Sequence, residues 1–180
     1  MAIARARALV LEILQNENGC SAWYREKDTN PAATFQSLEF DIDSKGPLYI
    51  LESDMDAGLG IFRHPYTAMT QQNGGPGATI TLNANGAFFQ SQAAVLKSKH
   101  DGGSARAGRI RQLKLGLYVG DSTEAQITAL LHEFGHTIGR IPADPDPNDG
   151  QSGRNTAEVL RYCRAEVEST AKHPLRMAMR

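Results

Sequence analysis

The sequence predicts an α+β fold in which a small mixed or antiparallel sheet packs against an N-terminal helix and two C-terminal helices. Three observations carry that expectation. Helical periodicity opens the chain, short alternating strand patterns punctuated by Gly and Pro fill its middle, and two capped helical patterns close it. No internal repeat, low-complexity tract or long Gly/Ser linker divides residues 1–180, so one domain is expected, with a flexible tail from about residue 172.

Taken in order, Met1 to Leu14 brings early arginines, Arg5 and Arg7, and then Leu9, Val10, Leu11, Ile13 and Leu14. Glu12 interrupts that apolar run and no small-residue cleavage site follows, so the expectation is a surface helix ending near Gly19 rather than a leader peptide. Cys20 to Thr34 is mixed and closes on Asn30-Pro31, read as a loop. Strands are expected at Ser37 to Ile42, where Leu38, Phe40 and Ile42 alternate with polar residues, at Leu48 to Leu51, and at Thr79 to Asn83, with Ile80 and Leu82 on one face. The Gly74-Gly75-Pro76-Gly77 cluster is a loop, because neither helix nor sheet interior tolerates that density of Gly and Pro. Phe88 to Lys97 reads as a short helix, His100 to Gly108 as a flexible connection, and Leu113 to Val119 as the last strand. Asp121 is placed to cap a helix, with Glu124 reaching back to it; that helix runs to about Ile138, and Gly139 ends it in a left-handed conformation. A final helix from about Thr156 to Thr170 opens similarly on Asn155 and Glu158, and its apolar face is Val159, Cys163 and Val167.

Composition narrows the function classes. The 19 Lys and Arg balance 20 Asp and Glu, leaving a formal charge of -1, and the basic residues are scattered. Nucleic acid and anionic membrane surfaces both need a concentrated positive field, so neither is an expected partner. No window approaches the roughly 20 apolar residues of a membrane-spanning helix. A chain of this length buries a core large enough to fold without structural metal, so a metal here would serve chemistry.

Chemistry concentrates in His132-Glu133-Phe134-Gly135-His136. This is the H-E-x-x-H pattern, in which two imidazoles one helical turn apart point the same way and can share a zinc ion, with Glu133 as the general base. On a wheel of about 100° per residue, Ile127, Leu130, Leu131, Phe134 and Ile138 form the core stripe. His132 and His136 lie opposite, beside Ala125 and Ala129 rather than lysines or glutamates. A helix apolar or small nearly all round is buried on both faces, and Glu133 is its lone formal charge between Ala125 and Gly139. An unpaired buried carboxylate costs several kcal/mol, and water activated by a metal would give it a partner.

Two histidines leave a tetrahedral zinc one protein ligand short of the three that a catalytic site uses. The segment Ile141-Pro142-Ala143-Asp144-Pro145 is stiffened by proline, and Asp144 is the favoured third ligand, with Asp146 and Asp149 of the same loop next. An Asp144-x-Asp146-x-Asn148 run superficially matches a calcium loop, but Asn155 stands where the twelfth-position acid belongs, so calcium is not expected. The helix resembles that of the zincin metallopeptidases over Asp121 to Asp144. One large zincin branch extends the motif to H-E-x-x-H-x-x-G-x-x-H or ends it in Asp; Gly139 matches its glycine, while Pro142 occupies the position of the third ligand. The thermolysin-like branch instead takes a downstream Glu, which would make Glu158 the alternative ligand.

The resemblance implies a zinc-dependent metallopeptidase of zincin-like fold with one zinc per chain. Zinc polarises the peptide carbonyl and acidifies a water, and Glu133 takes the proton and passes it to the leaving amine. It also implies an antiparallel edge strand that pairs with an extended peptide substrate, for which Thr79 to Asn83 is the candidate, and an oxyanion partner drawn from Tyr66, Tyr162 and Arg140. Two rival functions are a zincin-shaped binding or scaffold domain without turnover and a zinc hydrolase of a non-peptide amide. Cys20 and Cys163 read equally as a bridge or as two buried thiols; a bridge would place the protein outside the cytosol, secreted or periplasmic.

Overall fold

The computed structural model describes residues 2–53, 61–98, 106–145 and 150–172. Helix α1 (Ala2–Gln15) buries Ala6, Leu9, Val10, Ile13 and Leu14 on one face, the spacing of an amphipathic helix. Two short helices follow that the sequence reading missed. In α2 (Gly19–Arg25), Asn18 and Ser21 form a reciprocal capping box; in α3 (Pro31–Gln36), Asn30 caps and Pro31 occupies the first turn. The Asn30-Pro31 pair is therefore a helix start rather than a loop, since proline's fixed φ suits the first helical position and its missing N–H is not needed there.

Three strands form the sheet beside the helices: β1 (Glu39–Asp43), β4 (Ala68–Thr70) and β5 (Thr79–Asn83), in the order β1-β5-β4. β5 is parallel to β1 and antiparallel to β4, and its alternate residues Ile80 and Leu82 are fully buried. Because β5 is hydrogen-bonded on both sides, it is the central strand, and the exposed edge expected at Thr79 to Asn83 belongs instead to β4. A second sheet has the order β3-β2-β6-β7, from β2 (Ile50–Ser53), β3 (Ile61–Arg63), β6 (Gln92–Ser98) and β7 (Arg106–Gln112).

Gln92 to Lys97, expected to lie in a helix, is thus strand. Ala93 and Val95 alternate into a small core with Ile50, Ala87 and Leu113, and pairing with β2 and β7 outweighs the helix preference of Ala and Leu. Residues from Arg106 extend β7 rather than forming a connection; positions 99–105 lie outside the described residues. The expected single strand at Leu113 to Val119 folds back on itself as β8 (Lys114–Leu115) and β9 (Tyr118–Val119), because Gly116 takes a φ of 56° between them.

Helix α4 (Thr123–Thr137) is capped by Ser122, whose side chain accepts from the Ala125 N–H. The expected cap, Asp121, instead sits at a φ of 64°, a conformation in which an N-cap does not function. Gly139 does close the helix at a φ of 67°. Helix α5 (Gln151–Lys172) starts five residues before the expected Thr156, so Asn155 is a buried interior residue and not a cap. Val159, Cys163 and Val167 form its inner face, as the spacing predicts. The main core joins these residues to Leu9, Ile13, Phe35, Ile80, Leu130 and Phe134, so that α4 lies with α1, α5 and β4 against it. Cys20 and Cys163 are joined, tying α2 to α5 across 143 residues. Among the described residues no helix is long and apolar enough to cross a membrane.

Candidate metal centre

Every residue of α4 from Ala125 to Thr137 is buried, including His132, Glu133 and His136. A helix lets the two histidines meet because positions four apart share a face, and here their Nε2 atoms stand 3.0 Å from each other. The chain turns at Gly139 and brings Asp144 back over them, with Oδ2 3.2 Å from His132 Nε2 and Oδ1 3.2 Å from His136 Nε2. Among the described residues, these three are the group whose ligand atoms all lie within 4.8 Å of one another.

Hydrogen bonds outside the cluster decide what its atoms are. Gln72 donates through Nε2 to the Ile141 carbonyl at 2.9 Å, which fixes the amide's orientation because a carbonyl only accepts. Its Oε1 therefore faces His136 Nδ1, at 2.9 Å, and that nitrogen must carry the proton. In the neutral ring this leaves Nε2 as the unprotonated nitrogen, open to a proton or a metal. Asn155 donates its amide to the Pro142 carbonyl at 2.8 Å and to Asp144 Oδ2 at 3.2 Å, so Asp144 is held in place as an acceptor. His132 Nδ1 is 3.0 Å from the Thr156 hydroxyl. The 3.2 Å approach of His136 Nε2 to the Asp144 carboxylate is satisfied either by a proton on that nitrogen or by a metal cation between the two.

The donor set fits zinc. Two imidazole nitrogens and a carboxylate are its usual ligands, and nitrogens bound at about 2.0–2.1 Å to one tetrahedral ion stand roughly 3.3 Å apart, close to the 3.0 Å found here. Each histidine's second nitrogen has an outer partner, as metal-binding imidazoles require.

Burial pulls His132 below its ordinary pKa, with the Asp144 contact opposing. Burial also works to raise Asp144, but the bonds to His132 and His136 outweigh it and hold the carboxyl well below the usual range. Glu133 is pushed up to about 8 by burial and then by the neighbouring Asp144 charge. Such a carboxyl is a stronger base than an ordinary glutamate, the property proton transfer near neutral pH needs.

These groups line a cleft of about 750 Å³. One wall is edge strand β4, and the other is Lys114 to Gly116 with Ser152 and Gly153 at the start of α5. Glu158, the alternative ligand, lies apart from the donor group: its side chain is substantially exposed and faces Arg161 at 3.9 Å. Asp146 and Asp149 lie outside the described residues. Of the oxyanion candidates, Tyr66 lines the cleft, but its hydroxyl is bonded to Asp43, and burial followed by that carboxylate raises it to about 12. Tyr162 stacks on Trp23 at 5.0 Å, and Arg140 lies over the Trp23 ring, 4.5 Å from its centre, and 2.7 Å from Glu26. Neither of the two lines the cleft.

Gln72, Asn155 and Thr156 are the residues sequence reasoning missed. Asn155 and Thr156 gave a helix-start signal that pointed to a different role, and Gln72, 64 residues from His136, gave none. No protein-family model matches the sequence, and comparison with curated proteins and with solved structures finds no significant match.

Proposed function

We propose that the chain is a zinc-dependent metallopeptidase of zincin-like fold, with His132, His136 and Asp144 holding the metal and Glu133 acting as general base. The observation that carries this reading is the convergence of His132 Nε2, His136 Nε2 and the Asp144 carboxylate, beside a buried glutamate and along a cleft. When bound, zinc supplies Lewis acidity toward a carbonyl oxygen and makes a water acidic enough to lose a proton near neutral pH.

The chain's own residues supply the remainder. Glu133 takes a proton from the attacking water at its carboxylate and delivers it to the departing amine nitrogen, so one group serves as base and then acid. Among the described residues β4 is an edge strand along the cleft wall, where an extended peptide can add as a further strand and be held without regard to most of its side chains. Burial of the α4 face limits bulk water around Glu133 and preserves the strength of its interactions.

The test begins with elemental mass spectrometry on protein purified without a metal-affinity column. Zinc is expected in the wild-type chain and lost from His132→Ala and Asp144→Ala. The zinc-loaded protein is then assayed on casein and a peptide library beside Glu133→Ala. No metal uptake, or cleavage equal to the Glu133→Ala control, would sink the reading.

A further inference from the structure

We propose that Gln72 is a positioning residue that locks His136 in the tautomer whose Nε2 lone pair faces the Asp144 carboxylate, an inference that rests on the metal-site reading above. A neutral imidazole places its proton on either nitrogen, and only one choice leaves Nε2 free to bind a metal. The Gln72 amide makes that choice because both of its ends are committed. Its Nε2 donates to the Ile141 carbonyl at 2.9 Å, so its Oε1 is what His136 Nδ1 meets at 2.9 Å. The histidine partner on α5 is different in kind: the Thr156 hydroxyl at 3.0 Å from His132 can donate or accept, so it restrains that ring without selecting a proton position.

The backbone around Gln72 explains why its amide is so placed. The Asn73 N–H donates to the His136 carbonyl at 2.9 Å and the Gly75 N–H to the Thr137 carbonyl at 3.0 Å, so the loop after β4 docks on the end of α4. Gly139 permits this approach, because a Cβ there would lie 2.0 Å from Asn73 Oδ1. These bonds are made by main-chain atoms and do not use the Gln72 side chain, which separates loop placement from tautomer selection. The same amide also reaches Ile141, in the segment that carries Asp144, and Gln72 lies two residues beyond β4. One side chain thus links the cleft wall, one histidine and the approach to the carboxylate.

The experiment uses the full chain with nitrogen-15 labelled imidazoles. In metal-free protein at mildly alkaline pH, the ring-nitrogen shifts of His136 report the Nδ1–H form in wild type and a shift toward Nε2–H in Gln72→Leu. Gln72→Glu keeps the acceptor oxygen and is expected to keep Nδ1–H. Zinc affinity, measured by chelator competition, falls about 10–100-fold in Gln72→Leu and recovers in Gln72→Glu, the range typical for losing the outer partner of a metal-binding histidine. Unchanged His136 shifts and unchanged affinity in Gln72→Leu overturn the proposal. If Gln72→Leu does not fold, the Gln72→Glu spectrum decides, since Nε2–H in that variant also overturns it. A wild-type chain that takes up no zinc defeats the peptidase reading alone, because the tautomer is read without metal.

Discussion

Removing the Cys20–Cys163 link by a paired substitution to alanine tests how the helices are held, and its magnitude follows from topology. Both cysteines are fully buried, and the bond joins positions 143 residues apart. In the chain-entropy treatment a loop of that length removes about 17 cal/mol/K from the unfolded ensemble, or on the order of 5 kcal/mol at 25 °C. Against a total folding stability of about 5–15 kcal/mol, that is a large fraction. The assay is urea denaturation followed by circular dichroism; with a slope of about 2 kcal/mol/M, the midpoint should fall by roughly 2–2.5 M. The effect reaches the site, because α5 carries Asn155, Thr156 and Cys163 among its buried residues and the first two hold Asp144 and His132. Adding zinc at about 100 times its dissociation constant should return about 2.7 kcal/mol to the variant. A midpoint shift below about 0.5 M, with two free thiols found by alkylation of the denatured wild type, would refute the reasoning about the bridge.

Glu133→Gln should abolish cleavage, retain zinc and stabilise the metal-free fold. The folded carboxyl sits at about 8 against an ordinary 4.5, so the folded state holds a proton that the unfolded state has lost between those values. The metal-free wild type therefore loses stability as pH rises through that window, by about 3 kcal/mol at pH 7, while the Glu133→Gln variant, whose amide does not titrate, carries no such loss. Urea midpoints of both chains at about pH 5 and pH 7.5 check the sign. Asn155→Leu removes the amide that anchors Asp144 and the Pro142 carbonyl, and should weaken zinc about 10–100-fold in chelator competition with α5 still helical. Gly139→Ala places a side chain at a φ of 67° and against Asn73. A loss of about 1–3 kcal/mol is expected from the strain, seen as a lower melting temperature, and an unchanged melt would contradict it.

Local rules carried much of this protein. The four-residue spacing of His132 and His136 puts both rings on one face in any α-helix, and Gly139 turns the chain because a positive φ suits glycine. The stretch from there to Asp144 is short, so the sequence could nominate that carboxylate, and the same periodicity made the inner faces of α1 and α5 legible. What it could not decide depended on distant partners. Gln92 to Lys97 became strand because β2 and β7 flank it, and β4 rather than β5 became the cleft edge because β1 occupies the other side of β5. Asn155 looks like a helix cap in isolation, yet inside α5 its amide reaches Asp144. Gln72 bears no local mark at all. A hydrogen bond at 2.9 Å across 64 residues exists only after the loop has docked on α4, so the tautomer of His136 is a property of tertiary structure. Periodicity is written along the chain, whereas proton placement follows from which groups meet in space.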